Sequence, residues 1–443
     1  MKLNTCDVYG DGDKFVPFFV FHAAKSVFLR FYYKINPMKN YIKAIIIAIL
    51  FVFMMFLQAS AQKKPFRNID FSQHDFVDTI KIKIIDGALI VPVEINGDVK
   101  NFMFDTGANW GSWIGEKEDW MTSSGISINI SDTHKKIKKK AIFRMPSMKI
   151  GSTVIENYPV VADDGLRDFV CGRFDGVLGF DLVTCGLSFK FDSHDSLLIV
   201  TDRKGFFAKE EKGEPFVKYK AYSKVCPMIK VKFSAGTIEM LFDTGYTNGW
   251  VDVPQRQINR LVKKDKSLQQ KIDEMTVMID TTVVTTIGLY GPSYDTVILR
   301  KLHYDEVKIG KLTLNDVYGT TDAKGAKVGS GFLKHASLII DGSKKRFVFL
   351  PHEGNSKIAI NNEGRNGFGV SVAAESDTLG VIKVVVRKDK KLYEKGIRTG
   401  DYLLSIDGIP VTCFCDVISL CQNEGEKHYM FRSPDGEIKE VNL

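Results

Sequence analysis

Phe102-Met103-Phe104-Asp105-Thr106-Gly107 returns further along the chain as Met240-Leu241-Phe242-Asp243-Thr244-Gly245. Each copy is an apolar strand that stops at a carboxylate and enters a tight turn, where glycine accepts backbone geometry that a side chain resists. A single Asp-Thr-Gly reads equally well as an ordinary strand-to-turn junction capped by its own Asp side chain. Two copies 138 positions apart, with matching flanks, read instead as a duplicated lobe able to bring Asp105 and Asp243 together.

The flanks repeat as well. Between 78 and 104, apolar residues alternate with period two, through Ile80, Ile82, Ile84 and then Leu89, Val91, Val93, with turns at Asp86-Gly87 and Asn96-Gly97. The second copy is approached by 227–233, a turn at Ala235-Gly236, and 239–242. Downstream, Met148-Lys149-Ile150-Gly151 is answered by Val307-Lys308-Ile309-Gly310, and Val177-Leu178-Gly179 by Lys327-Val328-Gly329. Phe189-Lys190-Phe191-Asp192 is answered by Ile339-Ile340-Asp341. These matches set lobes at 78–200 and 215–350, joined by the charged segment 203–214. The polar amphipathic stretch 257–275 is expected to form one helix.

The first sixty or so of the 443 residues read as a leader. Met38-Lys39-Asn40-Tyr41-Ile42-Lys43 is basic, 44–57 is an apolar run of 14 residues, and Ala59-Ser60-Ala61 is a small-residue cleavage site. This is the pattern of a signal peptide at 38–61, too short for the ~20 residues of a membrane span. Residues 1–37 sit awkwardly ahead of it: either Met38 is the initiator, or the run stays uncleaved as an anchor. The expected location is therefore periplasmic or secreted, with membrane attachment only through an uncleaved 44–57.

Removing the leader's seven basic and three acidic residues turns the balance of 61 against 53 into 54 against 50, which does not argue for a nucleic-acid partner. Six of the seven cysteines remain after cleavage. Their spacing is not a dense disulfide framework; Cys171 with Cys185 is one candidate bridge, and buried free thiols are the other reading. The eight His are scattered, without HExxH or a close His-Cys cluster, so no metal and no cofactor is expected.

After 351 the chain turns polar and turn-rich, and 351–366 reads as a linker. A third unit, 367–443, opens Gly367-Phe368-Gly369-Val370 and continues through a strand at 381–386 and Gly400-Asp401-Tyr402-Leu403-Leu404-Ser405-Ile406-Asp407-Gly408. A helix over 414–422 and a hairpin turning at Pro434-Asp435-Gly436 close it.

On these residues, 78–350 resembles the pepsin and retropepsin clan of aspartic peptidases: an apolar pair before Asp-Thr-Gly, twice, each followed by a short element ending in Gly, Val177-Leu178-Gly179 and Lys327-Val328-Gly329. Asp243 to Val251, with a Trp seven positions after the Asp, is similar to the pepsin form, and Asp105-Thr106-Gly107-Ala108-Asn109 to the retropepsin form. The resemblance implies a mainly β protein with two β-barrel lobes about a pseudo-twofold axis. It also implies that Thr106 and Thr244 bond across to the opposite lobe, while Gly107 and Gly245 let backbone N–H groups approach the carboxylates. Two departures stand out. There is no Tyr between Asp105 and Tyr158 to serve as a pepsin-type flap residue, so a retropepsin-type hairpin is expected within 127–148. Val328-Gly329-Ser330-Gly331 is looser than its first-lobe counterpart.

The 367–443 unit resembles a PDZ domain of the bacterial protease-associated kind, a small α+β module, although the usual Ser-Pro-Ala before Gly400 is missing. The resemblance implies that the N–H groups of Phe368, Gly369 and Val370 hold the terminal carboxylate of a peptide, which Val370–Val372 then adds as a strand. A docking module that never takes a free peptide is the other reading.

Two carboxylates ~3 Å apart cannot both ionise cheaply, so they share one proton, a general property of this enzyme class. The charged member then activates a water and the protonated member donates to the scissile carbonyl. The expected activity is that of an exported aspartic endopeptidase on polypeptide substrates, with Asp105 and Asp243 catalytic. The alternative is an envelope peptide-binding scaffold on the same fold that hydrolyses nothing. The basic run Lys135, Lys136, Lys138, Lys139, Lys140 fits either a solvated hairpin or the steering of acidic substrate.

Overall fold

The computed structural model describes residues 69–443 apart from 86, 133–135, 222–225, 248–249, 322–323, 361–368, 373–381, 387, 389–390 and 422–424. Asp70 to Leu443 fall in one compact unit; the other unit, Tyr9–Ile69, contains the leader and lies outside the described residues apart from Ile69.

The described chain is mainly β, and the two Asp-Thr-Gly strands are built into matching sheets. In the first, Asp98–Phe104 pairs antiparallel with Ala88–Ile95 and parallel with the short strand Gly176–Leu178. In the second, Gly236–Phe242 pairs antiparallel with Pro227–Phe233 and parallel with Lys327–Val328. Alternation along 88–95 buries Leu89, Val91 and Val93 completely, which is why this run of apolar residues is a central strand. The first lobe begins earlier than 78, because Asp70–Phe71 adds an edge strand to Thr153–Asp163.

A third sheet belongs to neither lobe alone. Its order is Phe216–Lys218, Arg346–Pro351, Ala336–Asp341, Ser188–Asp192, Leu197–Thr201, Val77–Lys81. At its centre the repeated segments meet antiparallel, Phe189 opposite Ile340 and Phe191 opposite Leu338. This joint sheet is the floor on which both catalytic-candidate strands rest. Phe104, immediately before Asp105, packs 4.9 Å from both Phe189 and Phe191. Phe242, immediately before Asp243, stacks 4.1 Å from Phe347 and packs 6.1 Å from Phe349. The connecting segment is anchored beside the same sheet through buried Glu211, which pairs with Lys344 at 2.5 Å and with Arg346.

Each lobe also carries a long hairpin. Thr122–Ser131 and Ile137–Ile150 form one, where a hairpin within 127–148 was expected. Thr276–Gly288 and Gly291–Ile309 form the other, which the sequence reading did not single out. The tips touch: the Tyr290 hydroxyl donates to Ile130 O at 3.0 Å, and Lys138 Nζ lies 4.6 Å from the Tyr290 ring centroid. Lys140 pairs with buried Asp163. Part of the basic run is thus committed to contacts inside the protein.

Three expectations need correction. The stretch 257–275 is not one helix but two, Gln255–Lys264 and Leu268–Met275, because Asp265 leaves helical geometry and its carboxylate takes the N–H of Ser267 at 3.0 Å. The 351–366 segment is not wholly linker: Lys357–Ala359 joins the second lobe parallel to Leu312–Thr320, burying Ile358 and Ile360. Cys171 bonds to Cys415, not to Cys185. The left-handed backbone at Cys171 ends the short helix Arg167–Val170 and presents the sulfur to the C-terminal unit.

That unit has its own sheet, in the order Gly369–Val372, Ile382–Val385, Tyr402–Ile406, His428–Arg432, Ile438–Asn442, with the helix Phe414–Leu420. Ile397, Ile406 and Phe431 are fully buried in its core. Besides the disulfide, Phe414 packs 5.8 Å from Phe169 of the first lobe, and Lys388 pairs with Asp280 of the second lobe's hairpin at 2.6 Å. Among the described residues, no helix is long and apolar enough to cross a membrane.

Candidate active site

The parallel pairing of each Asp-Thr-Gly strand with its short partner fixes the carboxylate loops in the same way twice. Asp105 N–H donates to Leu178 O and Asp243 N–H to Val328 O, both at 2.9 Å. Phe180 N–H then donates to Ala108 O at 2.8 Å, and Ser330 N–H to Tyr246 O at 3.1 Å. The looser second-lobe element therefore makes the same bonds as the first.

The threonines lock the two loops to each other. Thr106 N–H donates to Thr244 Oγ1 at 2.9 Å and Thr244 N–H to Thr106 Oγ1 at 3.0 Å. Each hydroxyl in turn donates across the junction, Thr106 to Phe242 O at 2.5 Å and Thr244 to Phe104 O at 2.8 Å. All four groups are buried and satisfied, so the loops have little freedom to separate.

Between them, the side chains of Asp105 and Asp243 hydrogen-bond to one another. Both residues are almost completely buried, at 2% and 0% exposure. Asp105 Oδ1 accepts from Gly107 N–H at 2.7 Å and from Gly245 N–H of the opposite lobe at 3.2 Å. Asp243 Oδ1 accepts from Tyr246 N–H at 3.1 Å. The glycines are required by space: a Cβ on Gly107 would lie 2.7 Å from Asp243 Oδ1, and one on Gly245 would lie 2.5 Å from Asp105 Cγ.

Burial pushes the Asp105 carboxyl up to about 6, partly offset by the N–H donors around it. Asp243 is pushed up further, first by burial and then by the charge of Asp105. Lys327 pulls the other way on Asp243. The two carboxyls titrate as one coupled pair, which holds a proton where isolated carboxylates would both be ionised. One base and one acid, hydrogen-bonded together, can take a proton from a bound water and give one to a carbonyl oxygen.

All six candidate residues of the two triplets are brought together. Gly367 and Phe368 lie outside the described residues; Gly369 and Val370 begin the strand paired with Ile382–Val385, in the separate C-terminal sheet. Two features near the dyad escaped the sequence reading. Buried Lys327 was seen only as a repeat of Val177, and Asp181 was not singled out. Asp181 Oδ1 accepts from the Tyr158 hydroxyl at 3.1 Å, and that hydroxyl accepts from Gly179 N–H at 2.9 Å, bracing the turn beneath Asp105.

No protein-family model matches the chain, and no curated protein matches it. Among solved structures it is similar to the aspartic proteinase of Irpex lacteus, with a TM-score of 0.38 and 11% identity over 62% of this chain and 97% of that one.

Proposed function

We propose that this chain is an exported aspartic endopeptidase of the pepsin and retropepsin type, with two lobes in one polypeptide and a C-terminal PDZ-type domain. The observation that carries the reading is the buried, hydrogen-bonded pair of Asp105 and Asp243, one from each lobe, held by reciprocal Thr106 and Thr244 bonds. Asp105 takes a proton from a water held between the carboxyls as the water oxygen bonds to the scissile carbonyl carbon. Asp243 gives its proton to the carbonyl oxygen. Collapse of the resulting gem-diol breaks the C–N bond, and the departing nitrogen takes the proton from Asp105 while a gem-diol hydroxyl returns one to Asp243. The cycle needs no metal and no covalent intermediate.

The signal-peptide pattern at 38–61 supports export, and the Cys171–Cys415 disulfide fits an oxidising compartment. The C-terminal unit docks polypeptides or partners by the PDZ mode, with a strand starting at Gly369-Val370 to which a peptide is added.

The test is cleavage of an unfolded protein substrate from acid to neutral pH, with and without pepstatin. Asp105→Asn and Asp243→Asn should each lower cleavage by about 10²–10⁴-fold while leaving the circular dichroism spectrum unchanged. Full activity in either variant would end the proposal. A folded, pepstatin-binding wild type without cleavage would instead favour the peptide-binding scaffold.

A further inference from the structure

Directly behind Asp243 the two lobes stop being equivalent. The strand that runs parallel to each Asp-Thr-Gly strand places Val177 opposite Met103 in the first lobe and Lys327 opposite Leu241 in the second. On its other side Val177 faces Ser112, whereas Lys327 faces Asp252. The residue three beyond the aspartate is Ala108 in one lobe and Tyr246 in the other. A neutral set, Val177, Ser112 and Ala108, is thus replaced by a charged and polar one, Lys327, Asp252 and Tyr246.

This second set is buried and connected. Lys327 is 5% exposed and its Nζ lies 4.3 Å from the Tyr246 ring centroid, a cation over an aromatic face in a dry site. The Tyr246 hydroxyl donates to Asp252 Oδ2 at 2.5 Å while its N–H holds Asp243 Oδ1. Asp252 Oδ1 accepts from Thr320 N–H at 2.9 Å and Thr320 Oγ1 at 3.1 Å. The next residue after Lys327, Val328, accepts the Asp243 N–H. The charged and titratable groups around this point are Asp105 across the cleft, Tyr246 on the Asp243 loop, Lys327 and Asp252 on the two strands behind, and Tyr304, which feels Asp252 from the strand Gly291–Ile309.

We propose that Lys327 is a positioning residue of the dyad: its ammonium, seated on Tyr246 and opposite Asp252, stabilises negative charge on the pair from behind Asp243 and sets the pH range in which the pair keeps one proton. This deepens the peptidase reading and rests on it. A valine at this position, as in the first lobe, would leave the shared charge without a nearby buried cation, and the pair would stay doubly protonated to higher pH.

The experiment compares wild type with Lys327→Met and Lys327→Arg in the full exported chain. The acid limb of kcat/KM should move up by about one unit or more in Lys327→Met, with its plateau reduced less than tenfold, and Lys327→Arg should restore it. A merely structural lysine would lower the plateau and leave the midpoint in place; that result would overturn the proposal. Should Lys327→Met not fold, Lys327→Gln, which removes the charge and keeps a polar end beside Tyr246 and Asp252, is expected to show the same shift. Failure of both to fold assigns Lys327 to structure and ends the proposal. Carboxyl 13C titration of the dyad separates this from the peptidase reading: an upward shift in a protein that cleaves nothing keeps the role of Lys327 and discards the peptidase, and pepstatin-sensitive cleavage with unmoved carboxyls does the reverse.

Discussion

Thr106 and Thr244 exchange backbone N–H bonds through each other's hydroxyls, at 2.9 and 3.0 Å, across the junction between the lobes. Each hydroxyl also donates to the opposite strand, so one side chain serves two groups that are closed to water. Replacing either by Ala strands an N–H and a C=O, and should lower stability by about 2–4 kcal/mol. Thr244→Ser keeps the hydroxyl and should cost about 1 kcal/mol. Urea midpoints at fixed pH measure both, and the double Ala variant should fall short of the sum, since the two residues form one network.

Asp181 makes stability depend on pH. Burial pushes its carboxyl from 3.8 up to about 8. Below 3.8 it is protonated in both the folded and unfolded chain; above that, the unfolded chain loses the proton and the folded one keeps it until about 8. Stability should therefore decline as pH rises through this window. Asp181→Asn keeps an acceptor for the Tyr158 hydroxyl and for Leu182 N–H, and Oδ2 has no hydrogen-bond partner among the described residues, so the exchange isolates charge. Urea unfolding should show little change at pH 4 and a clear gain at pH 8.

Cysteine mapping checks the link to the C-terminal unit. A non-reduced digest should yield a joined peptide pair containing Cys171 and Cys415, with no link from either to Cys185. In Cys415→Ser the C-terminal unit should be released faster by limited trypsin, while the Phe169–Phe414 packing and the Lys388–Asp280 pair still hold it in place. A Cys171–Cys185 peptide would exclude the Cys171–Cys415 bond.

Tyr290→Phe removes the hydroxyl that donates to Ile130 O and leaves the ring against Lys138. Amide exchange along Thr122–Ser131 and Ile137–Ile150 should become faster, with the global urea midpoint within about 1 kcal/mol of wild type. Unchanged exchange would mean that the hairpin tips hold each other by packing alone.

The dyad was legible because strand, carboxylate and glycine recur as a unit, and the restraint on each member is local: an apolar residue below, a tight turn above. The joint sheet was half legible, since Phe189-Lys190-Phe191-Asp192 and Ile339-Ile340-Asp341 were matched as repeats, but a repeat does not say that its copies pair with each other. The Cys171–Cys415 bond was not legible, because the partners lie 244 positions apart and nothing local distinguishes Cys415 from Cys413 or Cys421. Nor was the meeting of the hairpins, which depends on two long strands reaching the same point from different lobes. Lys327 was hidden by the alignment that revealed it: once matched to Val177, its charge was read as drift in a scaffold position.

The joint sheet has a consequence for the integrity of the molecule. A chain severed within 203–214 would leave each half with an uncovered central edge, Ser188–Asp192 on one and Ala336–Asp341 on the other, and only its counterpart has the complementary strand. Neither fragment should remain soluble alone, and co-refolded fragments should reassociate into a nicked molecule with the same partner choice, because the edge that would otherwise seed aggregation is the edge that selects its mate.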